Sequence, residues 1–398
     1  MIRLLILALG LLASAGASAQ SPRFIVPDPP AVDAKAVVVV DMANGDVLYE
    51  NNADVVIPPA SLTKIMTMMV ALDAVDHGVL SLDTRVEIAR EDVNLPYRSS
   101  LMYLREGMSV PFDTLLRGMA VVSGNDAAMA VARTIAGSMD GFVQRMNVQA
   151  RKLGLKDTHF VEPSGLSELN STTAREMAVL ARTYLQRYPE ALEKYHSRTS
   201  MEFPTTDVLP AGQSLPAERV VLRATNSLLF RYEACDGLKT GYIDESGYNL
   251  VATAQKDGTR VISVTLGGTE GTRSRERSGA ALLDWSFETW KTISVPVDTL
   301  PSVRIWGGEP GTIQLAMATL PVFTVPSAIA GVSSYRLEAP PYLEAPISAG
   351  DVVGRVVFTS GDHIVRRIDL VAASEARLGG LLVRFKDAII RFFVKLLG

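Results

Sequence analysis

From residue 65 onward the apolar positions fall as Ile65, Met68, Met69, Leu72 and Val75, at the three- and four-residue intervals of one helix face. Pro58 and Pro59 upstream favour an extended approach that stops where a helix begins. The pattern predicts a buried helix with Ser61 in its first turn and Lys64 three residues on along the same face. Ahead of it, a valine-rich run over residues 36–43 and an alternating run over 46–50 flank Asn44-Gly45, the strongest short signal for a hairpin. Behind it, residues 111–121 and 126–136 read as helices broken at Ser123-Gly124-Asn125, and residues 139–153 as a helix closed by Gly154. Thr173 and Glu176 have capping-box spacing ahead of a helix over 177–185.

The pattern then shortens to the strand period. Residues 219–222, 248–254 and 260–266 read as strands, the last two joined across Asp257-Gly258, and residues 274–290 as one amphipathic helix. Strands at both ends with helices between predict an α/β (α+β) domain, in which the early hairpin joins the late strands in one antiparallel sheet flanked by helices. Past a junction near 295–303, short apolar runs at 312–315, 352–358 and 364–370, broken by Gly and Pro, predict a small β-rich domain with no acid/base constellation. After Gly379-Gly380 the chain is strongly apolar yet carries Arg384, Lys386, Asp387, Arg391 and Lys395. Arg384, Arg391 and Lys395 share one helical face, and Phe385, Ile389, Phe392 and Leu396 line another. That fits a helix lying in a membrane interface better than a spanning one; the competing reading docks the helix on the protein's own core.

Composition narrows the class. With 398 residues, 47% of them hydrophobic and 21% charged, the chain can build two or so domains with a sizeable core. The net charge is -4 and no basic–aromatic cluster occurs, which argues against nucleic acid as a partner. The single cysteine, Cys235, excludes an intrachain disulfide, and the four histidines are scattered without a His-Glu-x-x-His, so no metal or other cofactor is expected. No Gly-x-Ser-x-Gly elbow is present. Arg3, the apolar run 4–12 and Ala17-Ser18-Ala19 read as a secretory signal over 1–19, so the mature chain is expected to work outside the cytoplasm. The expected organisation is a signal over 1–19, a catalytic domain over 20–293, a β-rich domain over 294–373 and a membrane-surface helix over 377–398.

Three motifs occur in order: Ser61-Leu62-Thr63-Lys64, Ser123-Gly124-Asn125 and Lys239-Thr240-Gly241. Each alone is common. A capping serine with a surface lysine gives the first, a turn the second and an exposed strand edge the third. Together, spread over most of a secreted domain, they are far more specific. A serine hydroxyl needs a base to become a nucleophile, and a lysine serves if its pKa is pulled down.

With these motifs the chain resembles the serine penicillin-recognising enzymes, and more closely the D-alanyl-D-alanine carboxypeptidases among the low-molecular-mass penicillin-binding proteins. The resemblance extends through Pro58–Lys64, Ser100-Leu101-Met102-Tyr103-Leu104, Arg117-Gly118, Ser123–Ala127, Asp236–Gly241 and Gly247–Ala252. It implies a β-lactamase/transpeptidase-like domain with a helical lobe, followed by a small β domain and an amphipathic anchor. By the resemblance Ser61 attacks a terminal D-Ala-D-Ala peptide bond of a peptidoglycan stem peptide, with Lys64 as base and Ser123 relaying a proton. Asn125 orients the substrate amide, and the backbone N–H groups of Ser61 and Tyr242, the latter next to Gly241, form an oxyanion hole. Lys239, Thr240 and Arg275 hold the terminal carboxylate, although Arg273 and Arg277 lie close enough in sequence to compete for that role. A second positive charge at Lys239 is expected to help burial lower the Lys64 pKa. β-Lactam antibiotics are implied as acylating inhibitors, and a periplasmic site on the outer face of the cytoplasmic membrane as the location. Two departures stand out. Tyr242-Ile243 replaces a His-Thr or Tyr-Thr pair, and no arginine immediately precedes Asn226. Competing readings are a D,D-endopeptidase using the same site, a class A β-lactamase and a non-catalytic peptidoglycan-binding protein. The β-lactamase lacks its Glu-x-x-Leu-Asn here, since Glu162-Pro163-Ser164-Gly165 has no leucine at the required offset.

Overall fold

A computed structural model describes residues 26–215, 220–295, 297, 300–330, 334–360 and 363–397. The expected signal over 1–19 lies outside them. The chain divides into two compact units: one of Pro27–Pro296 with Leu320–Gly331, and a second that takes in Val297–Thr319 and Val332–Gly398.

The first unit is organised on a five-stranded antiparallel sheet. Its strands are β1 (Ala36–Asp41), β2 (Val47–Asn51), β3 (Cys235–Ile243), β4 (Gly247–Lys256) and β5 (Thr259–Gly268), in the order β2-β1-β5-β4-β3. The early hairpin thus pairs with the late strands as the pattern predicts, with Val38 opposite Val264. Alternate residues of β1, namely Ala36, Val38 and Val40, enter the main hydrophobic cluster with the helices. The opposite face meets α6 (Thr272–Thr289), where a Cβ at Gly279 would come within 2.7 Å of Leu250. The expected strand over 219–222 is corrected: Val221–Arg223 pairs only with Ser200–Glu202, outside the main sheet, and Arg219 lies outside the described residues. Edge strand β3, which carries Lys239-Thr240-Gly241, was not anticipated as a complete strand because its glycines mask the period.

The helical lobe holds α1 (Thr63–Asp76), α2 (Phe112–Val121), α3 (Asn125–Ala136), α4 (Met139–Lys152) and α5 (Ala174–Arg187). Ile65, Met66, Met68, Met69 and Leu72 of α1 are all buried, so it is a central helix apolar on nearly every side. Ser61 sits just ahead of α1, in a 3-10 turn over Ala60–Leu62. The Thr173 hydroxyl caps α5 by accepting from Glu176 N at 3.1 Å. The return half of the capping box is not seen; the Glu176 carboxylate instead takes Lys156 N at 2.6 Å and the Thr158 hydroxyl at 2.6 Å. A further two-stranded pairing joins β6 (Trp290–Ser294) to β7 (Val322–Pro326) inside the same unit.

The second unit is β-rich, with a six-stranded sheet built around Ser302–Trp306, Thr312–Met317, Val352–Ser360 and His363–Ala372. Its C-terminal helix, α7 (Leu381–Leu397), docks by polar contacts. Asp387 is buried and accepts from Arg304 Nη2 at 2.6 Å and Gly307 N at 2.8 Å, while Arg391 pairs with Glu344. Leu381, Leu382, Phe385 and Phe392 are 82%, 86%, 69% and 64% exposed, so the apolar face is turned away from the protein's own core. Among the described residues no helix is long and apolar enough to cross a membrane.

Candidate active site

The three motifs converge. Ser61 is delivered by the 3-10 turn, held from behind by β4: the Asn249 amide donates to Pro58 O at 3.1 Å and Pro59 O at 3.2 Å, and its Oδ1 takes Gly267 N at 2.8 Å. Ala60, one residue earlier, adopts φ +50°, a left-handed conformation costly for a residue with a Cβ. Two glycines make the turn possible. A Cβ at Gly241 of β3 would stand 3.1 Å from Ser61 N, and one at Gly165 would stand 1.9 Å from Ala60 O.

Lys64, on the first turn of α1, is completely buried. Its Nζ lies 2.6 Å from Asn125 Oδ1, 2.5 Å from Ser164 O and 3.1 Å from Ser61 Oγ. A neutral amine has two N–H groups, which the two carbonyl oxygens take up, leaving its lone pair for the Ser61 hydroxyl proton. Burial pulls its pKa down to about 7 against the opposing charges of Glu162 and Asp126. Burial is the leading cause at Lys64, and the repulsion between the two ammonium groups belongs to the pair. The mutual repulsion shows at Lys239, whose pKa is held far below the ordinary lysine value by burial first, then by Lys64 and Arg275.

Lys239 Nζ donates to Ser123 Oγ at 2.9 Å and to Thr240 O at 2.9 Å. Ser123 itself is in a left-handed conformation, φ +60°, in the break between α2 and α3. The Thr240 hydroxyl reaches Thr225 Oγ1 at 3.1 Å. Of the three candidate arginines on α6, only Arg275 is buried; Arg273 and Arg277 are exposed. Its Nη1 lies 3.5 Å from Gly241 O, its guanidinium stacks 5.7 Å from the Tyr248 ring, and its Nε is buried without an acceptor. Burial lowers its pKa, opposed by Glu276. Tyr242 is 48% exposed, stacks on Tyr248 at 4.5 Å and donates its hydroxyl to Asp244 at 2.7 Å.

Sequence reasoning missed several supporting residues. The sequence offers Glu162 only as the glutamate a β-lactamase would need, yet its carboxylate is taken up by Ser164 N at 2.7 Å, Ser164 Oγ at 2.5 Å, Gly165 N at 2.6 Å and Asn170 Nδ2 at 2.7 Å. It shapes the loop whose Ser164 carbonyl holds Lys64. Asp126 is buried and accepts from Met102 N and Leu104 N, both at 3.0 Å, which ties the Ser100–Leu104 segment to the start of α3. Burial raises its pKa against these bonds. A polar residue next to an expected site residue was the available signal for Asp126; nothing in the sequence marked Ser164, which acts through its backbone.

The profile of the D-alanyl-D-alanine carboxypeptidase family matches residues 24–270, more than half of the chain. The chain belongs to this family. A second profile, the C-terminal domain of penicillin-binding protein 5, matches residues 289–377. The chain is 34% identical over 374 residues to the D-alanyl-D-alanine carboxypeptidase DacD of Salmonella typhimurium, covering 91% of each chain. It is 32% identical over 372 residues to DacC of Escherichia coli, covering 92% of this chain and 89% of that one. Among solved structures, penicillin binding protein 5 from Haemophilus influenzae is similar with a TM-score of 0.77 and 30% identity, over 88% of this chain and 99% of that one. Penicillin-Binding Protein D2 from Listeria monocytogenes, solved in a cefotaxime-bound form, gives a TM-score of 0.57 at 33% identity over 66% of this chain and all of that one.

Proposed function

We propose that the protein is a serine D,D-carboxypeptidase that removes the terminal D-alanine from peptidoglycan stem peptides ending in D-Ala-D-Ala. The observation that carries the reading is Lys64 Nζ, buried and with both donors directed at Asn125 Oδ1 and Ser164 O, 3.1 Å from Ser61 Oγ. Ser61 Oγ attacks the scissile carbonyl carbon and its proton passes to Lys64. The oxyanion is held by the N–H groups of Ser61 and Tyr242. A proton relayed through Ser123, bonded to Lys239, reaches the amine of the departing D-alanine as the C–N bond breaks. Water then attacks the acyl-enzyme and returns Ser61. Lys239, Thr240 and the Arg275 guanidinium supply the cradle for the terminal carboxylate. β-Lactams acylate the same Ser61. The Glu162 carboxylate, saturated by its own loop, supports this reading over a β-lactamase that deacylates with a free glutamate.

The same reading places the protein outside the cytoplasm, through a signal over residues 1–19, and on a membrane surface, through the exposed apolar face of α7. The deciding experiment measures D-alanine released from a short peptide ending in D-Ala-D-Ala, alongside covalent penicillin labelling, for the wild type and Ser61→Ala. Release and labelling that both vanish in the variant are expected. Labelling that persists in Ser61→Ala would sink the assignment of the nucleophile.

A further inference from the structure

Strand β3, which brings Lys239 to Ser123, lies at the edge of the main sheet, and the carbonyls of Leu238 and Thr240 accept from side chains there. Thr240 O is taken by Lys239 itself. Leu238 O meets a group the mechanism above does not use, Nδ1 of His196, 3.1 Å away. His196 is buried, and its other ring nitrogen, Nε2, lies 2.9 Å from the Tyr184 hydroxyl of α5. The partners decide where the proton sits. A carbonyl can only accept, so Nδ1 carries the hydrogen and Nε2 accepts from the Tyr184 hydroxyl. Burial keeps Tyr184 a phenol. It also pulls the His196 pKa down to about 3, against the bond to Leu238 and with the Lys239 charge. The ring is therefore neutral, in one tautomer, with both nitrogens engaged.

The element that carries His196 is itself unusual. Leu192–His196 is one π-helical turn, closed by Ser197 N donating to Leu192 O at 2.8 Å, a form often found at functional sites. It packs closely against β3: a Cβ at Gly237 would stand 3.1 Å from Leu192 Cδ2 and 3.5 Å from His196 Cβ. From the same turn Lys194 Nζ at 2.9 Å and the Tyr195 hydroxyl at 2.8 Å reach Asp113 Oδ1, in the first turn of α2. Helix α2 leads to Ser123, and β3 carries Lys239. One turn thus grips both supports of the Ser123–Lys239 hydrogen bond.

We propose that His196 is a positioning residue for acylation: its Nδ1–H holds the Leu238 carbonyl and so fixes the edge of β3 where Lys239 meets Ser123. Backbone groups of alternate residues point to the same side of a strand. The anchor at Leu238 therefore also sets the direction of the Tyr242 N–H assigned to the oxyanion. The inference rests on the serine mechanism above and adds to it a residue that acts through the backbone.

The test is the rate of covalent penicillin labelling of the mature full chain, read per labelled chain so that an unfolded fraction does not enter, beside its Tm. An asparagine amide overlays the Nδ1–H of histidine, whereas a glutamine amide overlays Nε2 and leaves Leu238 O without its donor. His196→Gln should therefore label about 10–100-fold more slowly than wild type, the scale of an ångström-sized misplacement. His196→Leu, an apolar replacement with no donor, should match it, and supplies the same comparison if the glutamine variant does not fold. His196→Asn should recover most of the rate, although it too loses the Tyr184 contact. Donor-free variants that label at the wild-type rate with only a lower Tm would make His196 a plain core residue and overturn the proposal. An asparagine variant as slow as the glutamine one would also overturn it, because the Leu238 bond would not be the link. Should wild type itself take no label, the serine mechanism fails instead.

Discussion

At the scale of the residue, the protein turns on an amine that burial keeps near neutrality. With its pKa at about 7, Lys64 is neutral in about a tenth of molecules at pH 6 and about nine tenths at pH 8. Acylation of Ser61 by penicillin should therefore rise with pH through about 7 and then level off; a rate independent of pH from 5 to 9 would remove Lys64 as the base. Lys64→Arg keeps a cation but no accessible lone pair, and should lose acylation almost entirely. The same shift appears in stability. Between about 7 and 10.5 the unfolded chain holds a proton at this lysine that the folded chain has given up, so its penalty, full below pH 7, fades as pH climbs through that window. Lys239 is depressed in the same direction and adds the same sign. Arg275→Gln should lower kcat/KM for the peptide by about 10–100-fold, the cost of a lost charge-assisted bond, chiefly through KM if it serves the carboxylate.

At the scale of the element, the site depends on loops that approach one another too closely for side chains. The loop from Glu162 to Asn170 passes under the Ser61 turn at Gly165, where φ is +86° and a Cβ would overlap Ala60 O. Gly165→Ala should displace either the turn or the Ser164 carbonyl that holds Lys64, slowing penicillin acylation by roughly 10²-fold or more, an effect in line with ångström-scale misplacement. Unchanged acylation in a folded Gly165→Ala would disprove that coupling. This also explains what the sequence could and could not tell. The α1 stripe, the Asn44-Gly45 hairpin and the β4–β5 pair were legible because their periods are long and uninterrupted. Ser61, Lys64, Ser123 and Lys239 were legible because their triplets carry the chemistry in their side chains. Strand β3 was obscured by Gly237 and Gly241, whose missing side chains interrupt the alternation. The Ser164 carbonyl and the Glu162 bonds were invisible because a backbone acceptor has no residue signature.

At the scale of the whole molecule, α7 has two faces, as its pattern predicts: Asp387 and Arg391 dock it while the phenylalanines face out. Removing residues 379–398 should release the protein from membranes into the soluble fraction with D-alanine release intact; a truncated protein that still sediments with membranes would refute the anchor. The pairing of β6 with β7 was not legible, since Trp290 reads as the end of a helix and residues 322–326 as part of the β-rich region. A chain ended after Ser294 should melt several degrees below the full protein and aggregate more readily, because β6 then presents an unpaired edge. That pairing also bears on the order in which the protein is made. Synthesis delivers the chain from its N-terminus, so Ser61, Lys64, Ser123 and Lys239 are all available while the partner of β6 is still unmade, and the segment Val297–Thr319 of the second unit must emerge before β7 does. The catalytic unit is thus completed by a late-arriving piece of chain, and a stall between residues 294 and 326 would leave every reacting residue in place on an unfinished support.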